Sequence, residues 1–560
     1  MTATLTVSPA GELADRFWSW FLERQPLFAT VYGVEHLDDQ LYDPSAAARS
    51  AEKRALEAFQ AEVGRLQGAA GLEAEDAITV DMIGVVTRIH LRLLEHAVHH
   101  IESIDQMYGP QALPGELSRY QRVDTPERID RLLRRLVAYP AHLAAHRANL
   151  DEGVAAGRTA ARTLLVRVIE QTRRMHDTPI DQAPLLAAHP DLPAEDRQRI
   201  ADALATHVKP ALAEHLAYLE AYQGHARDTD GVWAIPGGDD LYRTLILAST
   251  TIDVAAQELH DYGNEQLALI AAEQGEIAGQ LGFADVAALR AALDADPVNT
   301  FGAAHELVDL AREQIERASA QAPRWFGRLP RATVEVKAVE AFQEAEAPPA
   351  FYVPPTPDGS RGGIYYVNTY QFENRPRHRL AATTFHEAVP GHHFQIALET
   401  ELEDLPLFRR LGGRLAGIAY PEGWGLYSER LADEMGLYND ARERLGMLDA
   451  QAWRAARLVV DTGIHALRWT RAQSIELLRR VGLSQIEAET ETDRYICWPG
   501  QALAYMTGMR EIVALRRQLE RRDGERFDLA GFHDAVLGHG TLPLATLRRE
   551  LPGWVRPRPA

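Results

Sequence analysis

Apolar positions recur at helical spacing through residues 47–66 and again through 77–103, so each stretch reads as an amphipathic helix with one face turned to a core. The same rhythm, rich in alanine and leucine, continues to about residue 325 and predicts helix after helix. Pro110, Pro114, Pro140, Pro184 and Pro190 mark turns along it, and Pro210 interrupts one helical run. Near residue 330 the period changes. Residues 332–339 alternate apolar and polar side chains as a half-buried strand does. A loop with Pro348, Pro349, Pro354, Pro355 and Pro357 follows, and 362–368 predicts a second strand. One helix over roughly 379–400 comes next. Helices then return up to Arg522, and a last one begins near Leu529 with Asp528 as its N-cap. The expectation is a mainly α fold with a small sheet beside one central helix and a deep cleft. It comprises a helical portion over 1–330 and a chemistry-bearing portion over 331–560 in one continuous body.

Composition narrows the function classes. With 46% hydrophobic and 25% charged residues the chain can bury a large core. A net charge of -21 repels phosphates and anionic headgroups, so neither nucleic acid nor a membrane surface is an expected partner. The lysines are Lys53, Lys209 and Lys337, which leaves few candidates for lysine nucleophile chemistry. Cys497 is the single cysteine, so no intrachain disulfide forms. With no signal-like start in residues 1–12 and no long apolar run, the expected location is the cytoplasm. Neither a Walker loop nor a dinucleotide fingerprint occurs.

The segment His386-Glu387-Ala388-Val389-Pro390-Gly391-His392-His393 carries the candidate chemistry. Two histidines on one helix with a glutamate beside the first suit a divalent metal and a general base. In a regular helix, however, His392 lies roughly 240° around from His386, and His393 lies roughly 10 Å further along the axis. Metal–nitrogen bonds of about 2 Å exclude both pairings, so the helix must be deformed. Pro390 removes the hydrogen bond to the carbonyl of residue 386, and Gly391 tolerates unusual dihedrals. The break therefore falls between the residues it must draw together. Either His392 or His393 can complete the pair. A lone histidine on a helix is ordinary packing. Three with a glutamate around a Pro–Gly break violate local rules without structural gain, as functional sites do.

The string His-Glu-x-x-Pro-Gly-His-His resembles the signature of a bacterial family long labelled a domain of unknown function. That family is in turn similar to helical zincin peptidases of the thimet-oligopeptidase type. Segments 422–429 (Glu-Gly-Trp-Gly-Leu-Tyr-Ser-Glu), 461–465 (Asp-Thr-Gly-Ile-His), Arg494-Tyr495 and 499–505 match the same pattern. Aligned on Gly-His, the resemblance favours His392 over His393 as second ligand. It implies Zn2+ held by His386, His392 and Glu422, with Glu429 as orienting carboxylate or alternate ligand. Glu387 would then be general base, and His465 or Tyr505 a donor to the oxyanion.

Strand 363–368, with Tyr366 and Asn368, is expected to run along the cleft and offer its edge to an extended peptide. Arg494 and Arg510 are candidate clamps for a substrate carboxylate, although arginines are plentiful enough to be structural ion pairs. His96, His99 and His100 cluster on one helix, but no acidic partner pattern follows them, so they are set aside as metal ligands. Cys497 reads as a small buried apolar residue. The expected activity is zinc-dependent hydrolysis of short or unfolded peptides. The alternatives are hydrolysis of a non-peptide amide, or binding without turnover. Histidine and carboxylate ligands also suit manganese, cobalt or iron.

Overall fold

The computed structural model describes residues 8–69, 71–340, 344, 348–356, 359 and 361–559; residues 1–7 and Pro357 lie outside them. Most of the described chain is helical. Ser45 starts the helix Ala46–Gln67 by accepting the Ala48 N–H, which satisfies one of the orphan donors of the first turn. The following helix, Ala74–Glu95, stops well short of the predicted residue 103. Ala97 adopts φ 47° there, and the chain folds into the short turn Val98–His100. Pro140 does not mark a turn. It lies inside the helix Pro126–Ala155, whose buried Leu136, Tyr139 and Leu143 hold the helix across it. Pro114 and Pro184 instead begin helices, where their fixed φ suits the first turn.

Three strands form the sheet: β1 (Val334–Ala338), β2 (Ala350–Val353) and β3 (Gly363–Val367), in the order β1-β3-β2. β1 runs parallel to β3, with Val334 opposite Gly363, and β2 runs antiparallel to it, with Tyr352 opposite Tyr365. β3 is therefore the central strand and has no free edge. The sequence reading missed β2, which lies in the proline-rich stretch taken for loop.

Seven helices position the site: α1 (Ala256–Gln280), α2 (Arg377–Glu387), α3 (His392–Thr400), α4 (Ala419–Glu434), α5 (Ala441–His465), α6 (Gln485–Cys497) and α7 (Ala504–Asp523). α1 packs along α5, α2 lies against both α4 and α5, and α4 packs on α7. Leu529–Leu537 forms as expected. Asp528 pairs with Arg558 rather than capping it, and a further helix, Leu544–Trp554, follows. One hydrophobic cluster runs from Ala10 to Val555, so the portions before and after residue 330 share a core. Among the described residues no helix is long and apolar enough to cross a membrane.

Candidate metal centre

The helix expected over 379–400 is two helices. Ala388 (φ -112, ψ -104) and Gly391 (φ -81, ψ -128) leave the helical region, so α2 ends at Glu387 and α3 starts at His392. The carbonyl of Pro390 accepts hydrogen bonds from Trp424 Nε1 at 2.9 Å and Ser428 Oγ at 3.3 Å, so α4 holds the break in place. A Cβ at position 391 would collide with the carbonyl oxygens of Phe385 and His386. Only glycine lets the chain turn back this tightly.

The break brings the His386 and His392 rings to 4.7 Å between centroids, nearly perpendicular. Glu422 Oε2 lies 3.6 Å from His386 Nε2 and 3.5 Å from His392 Nε2. Two ligands each about 2.1 Å from one tetrahedral ion stand about 3.4 Å apart, so these three atoms fit a single divalent metal. The Glu387 carboxylate lies within 4.8 Å of the ligating atoms of both histidines. His386, His392, Glu422 and Glu429 are all buried, the last completely.

Outer contacts fix the ligands. His386 Nδ1 donates to Glu429 Oε1 at 2.9 Å, which leaves Nε2 to face Glu422. Glu429 Oε2 accepts from Gln451 Nε2 at 3.0 Å. Glu429 thus orients His386 from the side away from Glu422. A Cβ at Gly425 would meet His386 Cε1 at 2.7 Å, so this glycine makes room for the imidazole. Burial opposes a charge on His386, yet Glu422 and Glu429 outweigh it and raise its pKa to about 10. Burial would likewise raise the Glu422 carboxyl, but His386, His392 and Arg414 hold it well below the usual carboxylate range. The cluster is built for a positive charge, and a metal would replace the proton on His386.

His393, the alternate ligand, points away. Its Nδ1 meets the Tyr352 hydroxyl at 2.9 Å and its Nε2 the Ala332 carbonyl at 3.1 Å, which ties α3 to the sheet. His465 is not an oxyanion donor. Its Nδ1 accepts the Val232 N–H and its Nε2 donates to the Tyr495 carbonyl, so both nitrogens are spent in the core. Tyr505 lies beside the centre. Its ring lies 6.4 Å from that of His386, Arg457 sits over it at 4.5 Å, and Arg494 Nη2 lies 3.5 Å from its hydroxyl. Arg494 also bonds Gln501 at 3.0 Å and lies 5.7 Å over the Trp498 ring.

The other substrate candidates are corrected. Arg510 is engaged by Glu258 at 2.9 Å and by Glu511, so it is a structural ion pair. The Asn368 amide donates to the carbonyls of Glu344 and Pro348 and accepts from the Tyr370 N–H, which staples a loop. Tyr366 stacks on Phe351 on the sheet face opposite Tyr365. Tyr365 is the residue that turns inward: it lies 3.5 Å from Thr384, and burial and Glu387 both raise its pKa. Cys497 is half-buried, with its thiol on Asp105 and its pKa pushed up, foremost by burial. Sequence reasoning also missed Trp424, Gly425, Ser428 and Gln451. The available signal was the pair of glycines inside the helical segment 422–429, which no helix tolerates for free.

The whole-chain comparisons agree with one another. A crystal structure described as "the putative lipoprotein from Colwellia psychrerythraea" matches with a TM-score of 0.89 and 27% identity, covering 97% of this chain and 98% of that one. A second, described as "a putative lipoprotein of unknown function from Shewanella oneidensis", shares the fold with a TM-score of 0.76 and 20% identity, covering 97% and 100%. No curated protein matches. Residues 26–551 match the family described as "Bacterial protein of unknown function (DUF885)", and the chain belongs to it.

Proposed function

We propose that the chain is a metal-dependent hydrolase, a zincin-type peptidase acting on short or unfolded peptides in a cleft beside α2. The observation that carries this is the convergence of His386 Nε2, His392 Nε2 and Glu422 Oε2 next to the carboxylate of Glu387. The donor set suits Zn2+, which when bound would polarise a scissile carbonyl and make water a better nucleophile. Glu387 takes the proton of the attacking water and delivers it to the leaving amine. Glu429 keeps the His386 proton on Nδ1 throughout. Tyr505, held by Arg494 and Arg457, offers its hydroxyl to the developing oxyanion. Arg494 is paired with Glu491 at 3.5 Å, and a substrate carboxylate would have to compete with that partner for its guanidinium.

Because β3 is internal, an extended substrate would lie along an edge strand, and of the two edges β2 is the one that packs against α2. A single cysteine suits the reducing cytoplasm, and fractionation of the native chain tests that location against the lipoprotein description of its Colwellia neighbour.

The deciding experiment measures metal content and turnover on a panel of short peptides and small amides, for the native chain and for Glu387→Gln. The expected result is one metal at this centre in both, hydrolysis of peptides by the native chain, and a loss of roughly 100- to 10,000-fold in the variant. Turnover of the small amides alone would replace the peptidase reading. Equal activity in the two proteins would remove Glu387 as base.

A further inference from the structure

A second cluster lies in the N-terminal half. His99, His100 and Glu152 each present one ligating atom, and these atoms lie within 4.8 Å of one another. His99 Nε2 is 3.2 Å and His100 Nε2 is 4.0 Å from the same oxygen, Glu152 Oε2. The two rings pack edge to face at 4.4 Å, with side chains only 13% and 12% exposed. Both Nε2 atoms thus converge on one carboxylate oxygen, while both Nδ1 atoms are buried without a protein partner.

From this cluster we infer a second divalent-metal site, of the histidine–carboxylate type that takes zinc, cobalt or nickel. It would clamp the turn Val98–His100 to the last turn of the helix Pro126–Ala155. Two independent features support it. First, the fold presses the ligands together: a Cβ at Gly153, next to Glu152, would meet the His100 carbonyl at 2.8 Å and the Arg158 carbonyl at 2.7 Å. Second, the cluster stands where the helices Ala74–Glu95 and Pro126–Ala155 both end, and helix C-termini favour cations. Arg158 already uses this preference by donating to the His96 carbonyl.

Arg49 Nη2 also reaches Glu152 Oε2, at 2.8 Å. It is anchored separately by Asn149 and by the Pro44 carbonyl, so it occupies the place of the donors that orient ligating carboxylates. The sequence reading dismissed these histidines for want of an acidic partner. Glu152 comes from a different helix, which spacing along the chain does not reveal.

The test is Co2+ uptake by the full chain, followed by absorbance and calorimetry. Two equivalents are expected in the native protein and one in His99→Ala/His100→Ala. His386→Ala/His392→Ala should retain one, and adding Glu152→Gln to it should weaken that one tenfold or more. Equal uptake by the native chain and His99→Ala/His100→Ala overturns the site. That comparison stands even if the His386→Ala/His392→Ala chain does not fold.

Discussion

Glu422 and Glu429 grip opposite sides of one imidazole: Glu422 faces His386 Nε2, and Glu429 accepts from its Nδ1. Both project from one face of α4, about two helical turns apart. Their roles separate by experiment. Glu429→Gln should weaken metal binding roughly 10- to 100-fold while leaving stoichiometry unchanged, as read by chelator competition. Unaltered affinity would show that Glu429 does no orienting.

The two neighbouring histidines should behave differently. His392→Ala should abolish tight metal binding at this centre, a loss of one equivalent. His393→Ala should keep the metal and instead lower Tm, because Tyr352 and the Ala332 carbonyl lose their partner. Elemental analysis with thermal unfolding of both variants checks this; metal loss in His393→Ala would reverse the assignment.

Gly391→Ala should damage centre and fold together. A Cβ there has no room beside the Phe385 and His386 carbonyls, and the cost should exceed about 3 kcal/mol. Denaturant unfolding and metal content should both fall, and a variant with native values would mean that the break adapts.

The metal-free protein should show a marked pH dependence. His386 has a folded-state pKa near 10 against an unfolded value of about 6.5. Its contribution is therefore fully present below about pH 6.5 and is lost as pH rises through about 10. Glu422 is shifted the other way, so its contribution is present above about pH 4.5 and is lost as pH falls. Chelator-stripped protein should be most stable between these limits, and Glu422→Gln should flatten both arms. Metal competes with the His386 proton, so metal affinity should instead rise with pH. A Tm that climbs from pH 7 to 9 without metal would contradict the assignment.

Arg494→Ala tests substrate recognition. With peptides ending in a free carboxylate KM should rise about tenfold or more, and with amidated peptides it should change little. Equal effects on both would return Arg494 to a purely supporting role for Tyr505.

The sequence made the helical architecture and the centre legible for a simple reason. Helix periodicity and the Pro390–Gly391 break are local signals, and they mark His386, Glu387 and the pair His392–His393 without knowledge of the rest of the fold. The choice of His392 over His393, and of Glu422 with Glu429 as its neighbour, came from the family resemblance. Long-range partners were not legible. Whether β3 had a free edge depended on β2, which pairs from within a proline-rich stretch. His465 looked available until Val232 and Tyr495, from distant segments, took both its nitrogens. Arg510 and Asn368 failed likewise, because nothing in a sequence announces which ion pair or carbonyl will claim a polar side chain. Pro140 shows the converse, a strong local signal overruled by the core.

α4 carries a carboxylate facing both histidines at 422, an indole donor at 424, the space for a ring at 425, a hydroxyl donor at 428 and a second carboxylate at 429. Inserting or deleting one residue within this stretch would swing everything beyond it by about 100°. Length variation among relatives should therefore be missing between 422 and 429, because every residue of that stretch is tied to the phase of the ones before it.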